Sequence, residues 1–126
     1  MNCFVVSLLL ATTVLIAGGC STGGGQAVQP SAGPDALRIA AKDLVFSTDS
    51  LSAAAGEPFQ ILFENQEGPP HNVAIYKDSS ATEKVFGSDP FSGPASVVYD
   101  VPALPAGTYF FRCDVHPDMN GQLTVG

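Results

Sequence analysis

Cys113, His116 and Met119 stand three residues apart in the run Cys113-Asp114-Val115-His116-Pro117-Asp118-Met119, near the end of the chain. A second histidine, His71, lies far upstream, and the chain has only these two His. A thiolate, two imidazoles and a thioether are soft or borderline donors. Thiolate and thioether favour Cu(I), imidazole also accepts Cu(II), and a trigonal His2Cys set with a long Met contact suits one-electron exchange. With the protein supplying every donor, no position is left open for a substrate. Taken singly, each residue has a plainer reading. Cys113 is a small core residue, Met119 fills a gap, His71 is a polar residue at a strand edge and His116 is an ordinary loop histidine. In this order and spacing they point instead to a copper site.

Those donors need elements to hold them. Thr108 to Cys113 reads as a strand, and alternation puts Tyr109, Phe111 and Cys113 on one face with Arg112 on the other. Cys113 then sits at the inward end of the strand. Burial by itself raises a thiol's pKa, and a metal resolves that conflict by deprotonating the thiol that binds it. His116 and Met119 fall in the following loop, which can fold both back onto one ion. His71 opens a further strand, His71 to Tyr76.

The rest of the domain reads the same way. Short apolar runs separated by turn residues occur at Leu37–Ala41, Leu44–Phe46, Leu51–Ala55, Phe59–Glu64, Ser96–Val101 and Gln122–Val125. Such spacing predicts an all-β fold, a sandwich or barrel. The expected core is Leu37, Ile39, Phe46, Leu51, Phe59, Ile61, Phe63, Val73, Ile75, Val98, Tyr109, Phe111, Leu123 and Val125. Ala81 to Phe86 has the composition for one short turn of helix. Gly107-Thr108-Tyr109 looks like the entry to a tyrosine corner.

Outside this domain the chain changes character. Residues 1–19 are apolar and too short for a comfortable membrane span, which needs about 20 apolar residues; they have the length of a signal peptide. Ala17-Gly18-Gly19-Cys20 resembles a bacterial lipoprotein cleavage site, with lipid expected on Cys20; a signal cut elsewhere with Cys20 incidental, and a retained amino-terminal anchor, are the alternatives. It departs from that pattern in having Ala17 where Leu is commoner and no Lys or Arg before Arg38. Residues 20–35 are rich in Gly, Ser, Gln and Pro and read as a flexible tether, leaving 36–126 as the folded domain. This layout places the domain outside the cytoplasm, in a periplasm or on the outer face of the membrane. On this layout Cys3 leaves with the signal and Cys20 would be acylated, so Cys113 would have no disulfide partner. The net charge of −7 argues against nucleic acid and suits solubility or a basic protein partner.

Gly107-Thr108-Tyr109-Phe110-Phe111-Arg112-Cys113 with His116, Met119 and the upstream His71-Asn72-Val73 resembles the cupredoxins, the small blue copper proteins. The Cys-x2-His-x2-Met spacing is similar to that of amicyanin. The resemblance spans Leu37 to Gly126 and implies a Greek-key β-sandwich holding one type 1 copper through His71, Cys113, His116 and, axially, Met119. It implies that Asn72 ties the two ligand segments together by hydrogen bonds and that Pro117 stiffens the ligand loop. Asp114 departs from the pattern, in which Ser or Thr often follows the Cys. Its negative charge should favour Cu(II) unless it is solvated or paired. The implied partners are redox proteins such as a c-type cytochrome or a membrane redox enzyme, met by a monomer through His116 and a patch of Gly68, Pro69, Pro70, Pro117 and Phe91.

A one-electron carrier rather than an enzyme is the function these residues favour. A copper-handling protein is the alternative, but it calls for mobile segments rich in Met or His, and the chain has two of each. A multicopper oxidase fragment needs further His clusters, and a two-copper centre needs a second nearby Cys. Zinc would leave the axial Met without purpose.

Overall fold

The structure is a computed structural model that describes residues 30–126. The signal-like segment, Cys20 and most of the expected tether lie outside the described residues. The last tether residues touch the domain, where the Gly33 amide donates to Gln60 Oε1 at 2.9 Å.

Nine strands follow in order: β1 (Leu37–Lys42), β2 (Val45–Phe46), β3 (Ser50–Ala53), β4 (Phe59–Asn65), β5 (Ala74–Tyr76), β6 (Lys84–Phe86), β7 (Ala95–Val101), β8 (Gly107–Arg112) and β9 (Asn120–Val125). There is no helix among the described residues. The strands form two mixed sheets, one ordered β2-β1-β4-β7 and the other β3-β9-β8-β5-β6. In the first, β1 and β4 run parallel while β4 and β7 are antiparallel. In the second, β9 pairs parallel with β3 and antiparallel with β8.

The apolar residues chosen by alternation form the core between the sheets, with Ile39, Ile61, Phe63, Val73, Ile75, Phe111 and Leu123 at most 2% exposed. Phe63 is its hub. Its ring meets those of Phe46, Phe91 and Tyr99 at centroid distances of 6.2, 5.5 and 6.1 Å. The Tyr109 hydroxyl donates to the Pro105 carbonyl at 2.8 Å, the expected tyrosine corner.

Three details differ from the sequence reading. Val98 is not part of the core cluster. The antiparallel register sets Tyr99 opposite Ile61 and Val97 opposite Phe63, which turns Val98 to the outer face opposite Leu62. Residues directly opposite across a ladder share a face, so Val97, Tyr99 and Val101 are the inward set. Second, Lys84–Phe86 is strand β6, not helix. Ala81 has a φ of 52°, a left-handed backbone that a right-handed helix cannot pass through, and the β-prone pair Val85-Phe86 completes the edge of the sheet beside β5. Third, regular pairing in the His71–Tyr76 segment begins only at Ala74; His71 makes a single bridge to Phe91.

Two glycines permit the close approaches that shape the site. Gly121 lies opposite Phe111 on the β8–β9 ladder, and a Cβ there would come within 2.4 Å of both the Phe111 ring and the Asp49 carbonyl. A Cβ on Gly93 would lie 2.3 Å from the Asn65 carbonyl oxygen, so only glycine lets the Phe91–Gly93 segment lie over the loop leading to His71.

Phe63→Ala should destabilise the domain by about 3–5 kcal/mol, whereas Val98→Ala should cost only a small part of that. Chemical denaturation of both variants checks the inward register of β7; equal losses would contradict it.

Candidate metal centre

The β8–β9 hairpin builds most of the site. Strand β8 ends at Arg112, and the chain re-enters the ladder at Asn120, opposite Arg112. The loop between them is cinched by its own backbone: the Cys113 amide donates to the Met119 carbonyl at 2.9 Å, and the Met119 amide donates to the His116 carbonyl at 2.9 Å. Asn120 Nδ2 closes the loop's outer side by donating to the carbonyls of Pro117 and Asp118 at 3.0 and 3.2 Å. Cys113, His116 and Met119 are thus held on one short, internally bonded turn. Cys113 continues the inward face of Phe111 and has no exposed surface, and Met119 is 2% exposed.

His71 comes from the other side. It is fully buried, and its backbone exchanges two 3.1 Å hydrogen bonds with Phe91. Asn65 Nδ2 braces that bridge by donating to the carbonyls of Phe91 and Pro69 at 2.8 and 2.9 Å. The ring is fixed by Glu67, whose Oε1 lies 2.7 Å from His71 Nε2. A carboxylate can only accept, so Nε2 carries the proton and the Nδ1 lone pair is left for the interior. Carboxylate partners of this kind orient metal-binding histidines. The Leu44 amide above all, with the His71 ring and the Asp43 amide, holds the Glu67 carboxyl below its ordinary value against the opposing effect of burial.

The donor atoms converge. Cys113 Sγ lies 3.7 Å from His71 Nδ1 and 3.9 Å from His116 Nδ1, and the two Nδ1 atoms are 3.1 Å apart. These separations provide a test of fit. Metal–nitrogen bonds of about 2.0 Å and metal–sulfur bonds of about 2.3 Å, as at zinc sites, place N and S about 3.8 Å apart at a trigonal angle of about 120° and two nitrogens about 3.1–3.5 Å apart at about 100–120°. The cluster therefore fits one ion at a three-donor N2S site. No acidic side chain joins the group among the described residues, and the thiolate-and-imidazole set that remains suits a soft or borderline ion.

Of the four expected ligands, only His116 reaches the surface appreciably. Gly68, Pro69, Pro70, Val115 and Pro117 are exposed in the segments beside the histidines. Phe91, expected on this patch, instead packs its ring against Phe63. Its backbone, bridged to His71, is what it contributes to the site.

Asn72 lies between the segments that carry His71 and Cys113. Its Oδ1 accepts from the Asp114 amide at 2.8 Å, and its Nδ2 donates to the Ser88 carbonyl at 2.8 Å. It thereby joins the residue after His71 to the residue after Cys113. Asp114, whose charge the sequence left open, is paired: Oδ2 lies 2.6 Å from Lys84 Nζ, and Oδ1 accepts from the Tyr76 hydroxyl at 2.5 Å. Burial, the largest single influence, pushes its pKa up. Lys84, Tyr76 and Asn72 together outweigh that and hold it at about 2.

Sequence reasoning missed Glu67, Tyr76, Lys84 and Arg112. Glu67 stands four residues before His71, but in a loop that spacing carries no structural meaning. Tyr76 and Lys84 reach Asp114 only through strand pairing, and Arg112, two residues before it, through the shared face of the strand end.

A two-sheet β domain with a buried thiol and two imidazoles at one end defines a class, that of small metal-binding redox domains. Comparison makes it specific. The model of the cupredoxin-like domain family matches residues 7–125, and the chain belongs to that family. Plastocyanin A/B of Petroselinum crispum is 38% identical over 88 residues, covering 65% of this chain and 88% of that protein. Amicyanin of Paracoccus versutus is 30% identical over 94 residues, 72% of this chain and 65% of that one. Among solved structures, auracyanin A of Chloroflexus aurantiacus, described as a blue copper protein, shares the fold with a TM-score of 0.64 at 24% identity, covering 75% of this chain and all of that one.

Asp114 sets a testable pH dependence. Its folded pKa of about 2 lies below the ordinary 3.8, so the stabilisation it contributes is complete above the ordinary value and disappears as pH falls toward 2. Metal-free wild type should lose stability relative to Asp114→Asn between about pH 4 and pH 2, followed by thermal unfolding at stepped pH. Parallel curves would rule this out.

Proposed function

We propose that the protein is a one-electron carrier that holds its copper through His71 Nδ1, Cys113 Sγ and His116 Nδ1, with Met119 as a weak axial donor. The observation that carries this reading is the 3.1–3.9 Å triangle of donor atoms, drawn from two distant segments and buried except at His116. One copper ion cycling between Cu(I) and Cu(II) supplies the redox chemistry. The chain does the rest. Cys113 at the core end of β8 provides a negative donor shielded from water. Glu67 holds His71 in the tautomer that leaves Nδ1 free. The bonds from Cys113 to Met119 and from Met119 to His116 keep the loop donors in one arrangement whichever charge the ion carries, so that little need move when an electron passes.

His116, with its outer edge toward solvent, is the electron's door. The exposed Pro70 and Pro117 near it are suited to an uncharged contact with a partner, since small apolar patches often mark interaction sites. We assign redox proteins as partners, such as a c-type cytochrome or a membrane redox enzyme, and electron carriage rather than enzymatic turnover. The apolar N-terminal run and Ala17-Gly18-Gly19-Cys20 support an exported protein, lipid-anchored at Cys20 on the outer side of the membrane, with residues 20–35 as its tether. A copper-handling role fits less well, because handing on an ion calls for accessible donors and three of these four are buried.

Adding Cu(II) to the purified protein should produce an intense thiolate-to-copper band in the visible spectrum. Cys113→Ser should abolish it, and Met119→Gln should retain it with a shifted potential. A colourless wild-type complex would exclude the assignment. Pro70→Glu or Pro117→Glu should keep the band but slow electron exchange with a small redox protein in stopped flow; unchanged rates would remove this patch as the docking surface.

A further inference from the structure

We propose that Lys84, supported by Arg112, sets the charge balance of the copper site by cancelling the Asp114 carboxylate beside Cys113, and so raises the preference for Cu(I). This inference rests on the assignment of Cys113 as a copper ligand. A carboxylate one residue from the thiolate would, if unpaired, stabilise the extra positive charge of Cu(II) through Coulomb attraction.

The Asp114 carboxylate is enclosed by donors from four parts of the chain. Oδ2 takes Lys84 Nζ at 2.6 Å and Asn72 Nδ2 at 3.3 Å, while Oδ1 takes the Tyr76 hydroxyl at 2.5 Å and Arg112 Nε at 3.4 Å. Two of these donors are cationic, so the cluster carries one net positive charge where the sequence suggested a negative one. Both cations lie over the Tyr76 ring, Lys84 Nζ at 5.4 Å and Arg112 Cζ at 4.9 Å from its centroid. The ring's electron-rich face favours that position. Strand pairing makes the placement durable. Lys84 is the partner of Tyr76 across β5–β6, next to a shift in register, and Arg112 is the partner of Ala74 across β5–β8. The chain has five Lys and Arg against twelve Asp and Glu, and two of those five converge on this one carboxylate.

The plainer role for the ion pair is a mechanical clamp on the ligand loop, and the reduction potential separates the two. Copper-loaded wild type, Lys84→Met, Lys84→Arg, Asp114→Asn and the Lys84→Met/Asp114→Asn double variant would be titrated potentiometrically at low salt, following the visible band. Lys84→Met should lower the midpoint and Asp114→Asn should raise it. The double variant and Lys84→Arg should both return close to wild type. Because the Lys84 side chain is 45% exposed, the shifts should shrink as salt is added. A Lys84→Met protein with a normal band, reduced thermal stability and an unmoved midpoint would overturn the inference and leave only the clamp. A wild-type protein that forms no band would overturn the copper assignment itself, and this inference with it.

Discussion

A cysteine sulfur buried between two imidazoles is the constraint on which the rest of this structure depends. Cys113 has no exposed surface, and a charged sulfur without a counter-charge is strongly disfavoured there. A bound copper ion removes that conflict only if the other donors already stand where the ion must lie. In the proposed site the hairpin would supply two of them at low entropic cost, because a short loop with its own backbone bonds orders His116 and Met119 together. The remaining donor has to come from elsewhere in the chain, and the elaborate bracing of His71 by Asn65, Glu67 and Phe91 is what a distant ligand requires.

The same constraint explains why polar groups gather at one end of an otherwise apolar core. Asn65, His71 and Asn72 are the buried polar residues of the domain, and each is engaged in joining the loop before β5 to its neighbours. Buried polar groups are tolerated when their hydrogen bonds are made; Asn65 and Asn72 make theirs chiefly to backbone atoms of neighbouring segments, and the His71 ring makes its own to the Glu67 carboxylate. The network does structural and electronic duties at once. It fixes the donors' positions, and it determines which charges the metal sees, through Glu67 behind His71 and the Asp114 cluster behind Cys113.

Membership of the cupredoxin-like family accords with this division between a plain scaffold and a demanding end. Plastocyanins and an amicyanin are related in sequence, and auracyanins share the fold at lower identity. A two-sheet sandwich offers a rigid frame on which loops at one end can vary. In this chain that end carries Asp114 and its cationic partners.

By itself the sequence determined most of the strands and the candidate donors. Alternation is a local property, so the inward face of Phe111 and Cys113, the core positions of β1 and β4 and the tyrosine corner were all legible. The ligand spacing was legible because a short loop leaves His116 and Met119 little freedom. Tertiary structure decided what depends on register and on partners distant in the chain. It turned Val98 outward and Tyr99 inward through the β4–β7 ladder, and it made Lys84–Phe86 an edge strand through pairing with β5. It packed the Phe91 ring against the core and set Glu67 behind His71. It also converted Asp114 from an apparent negative charge beside the metal into the centre of a paired cluster. A side chain's charge can be read from its letter, but whether that charge is felt depends on what folding brings within a few ångströms of it.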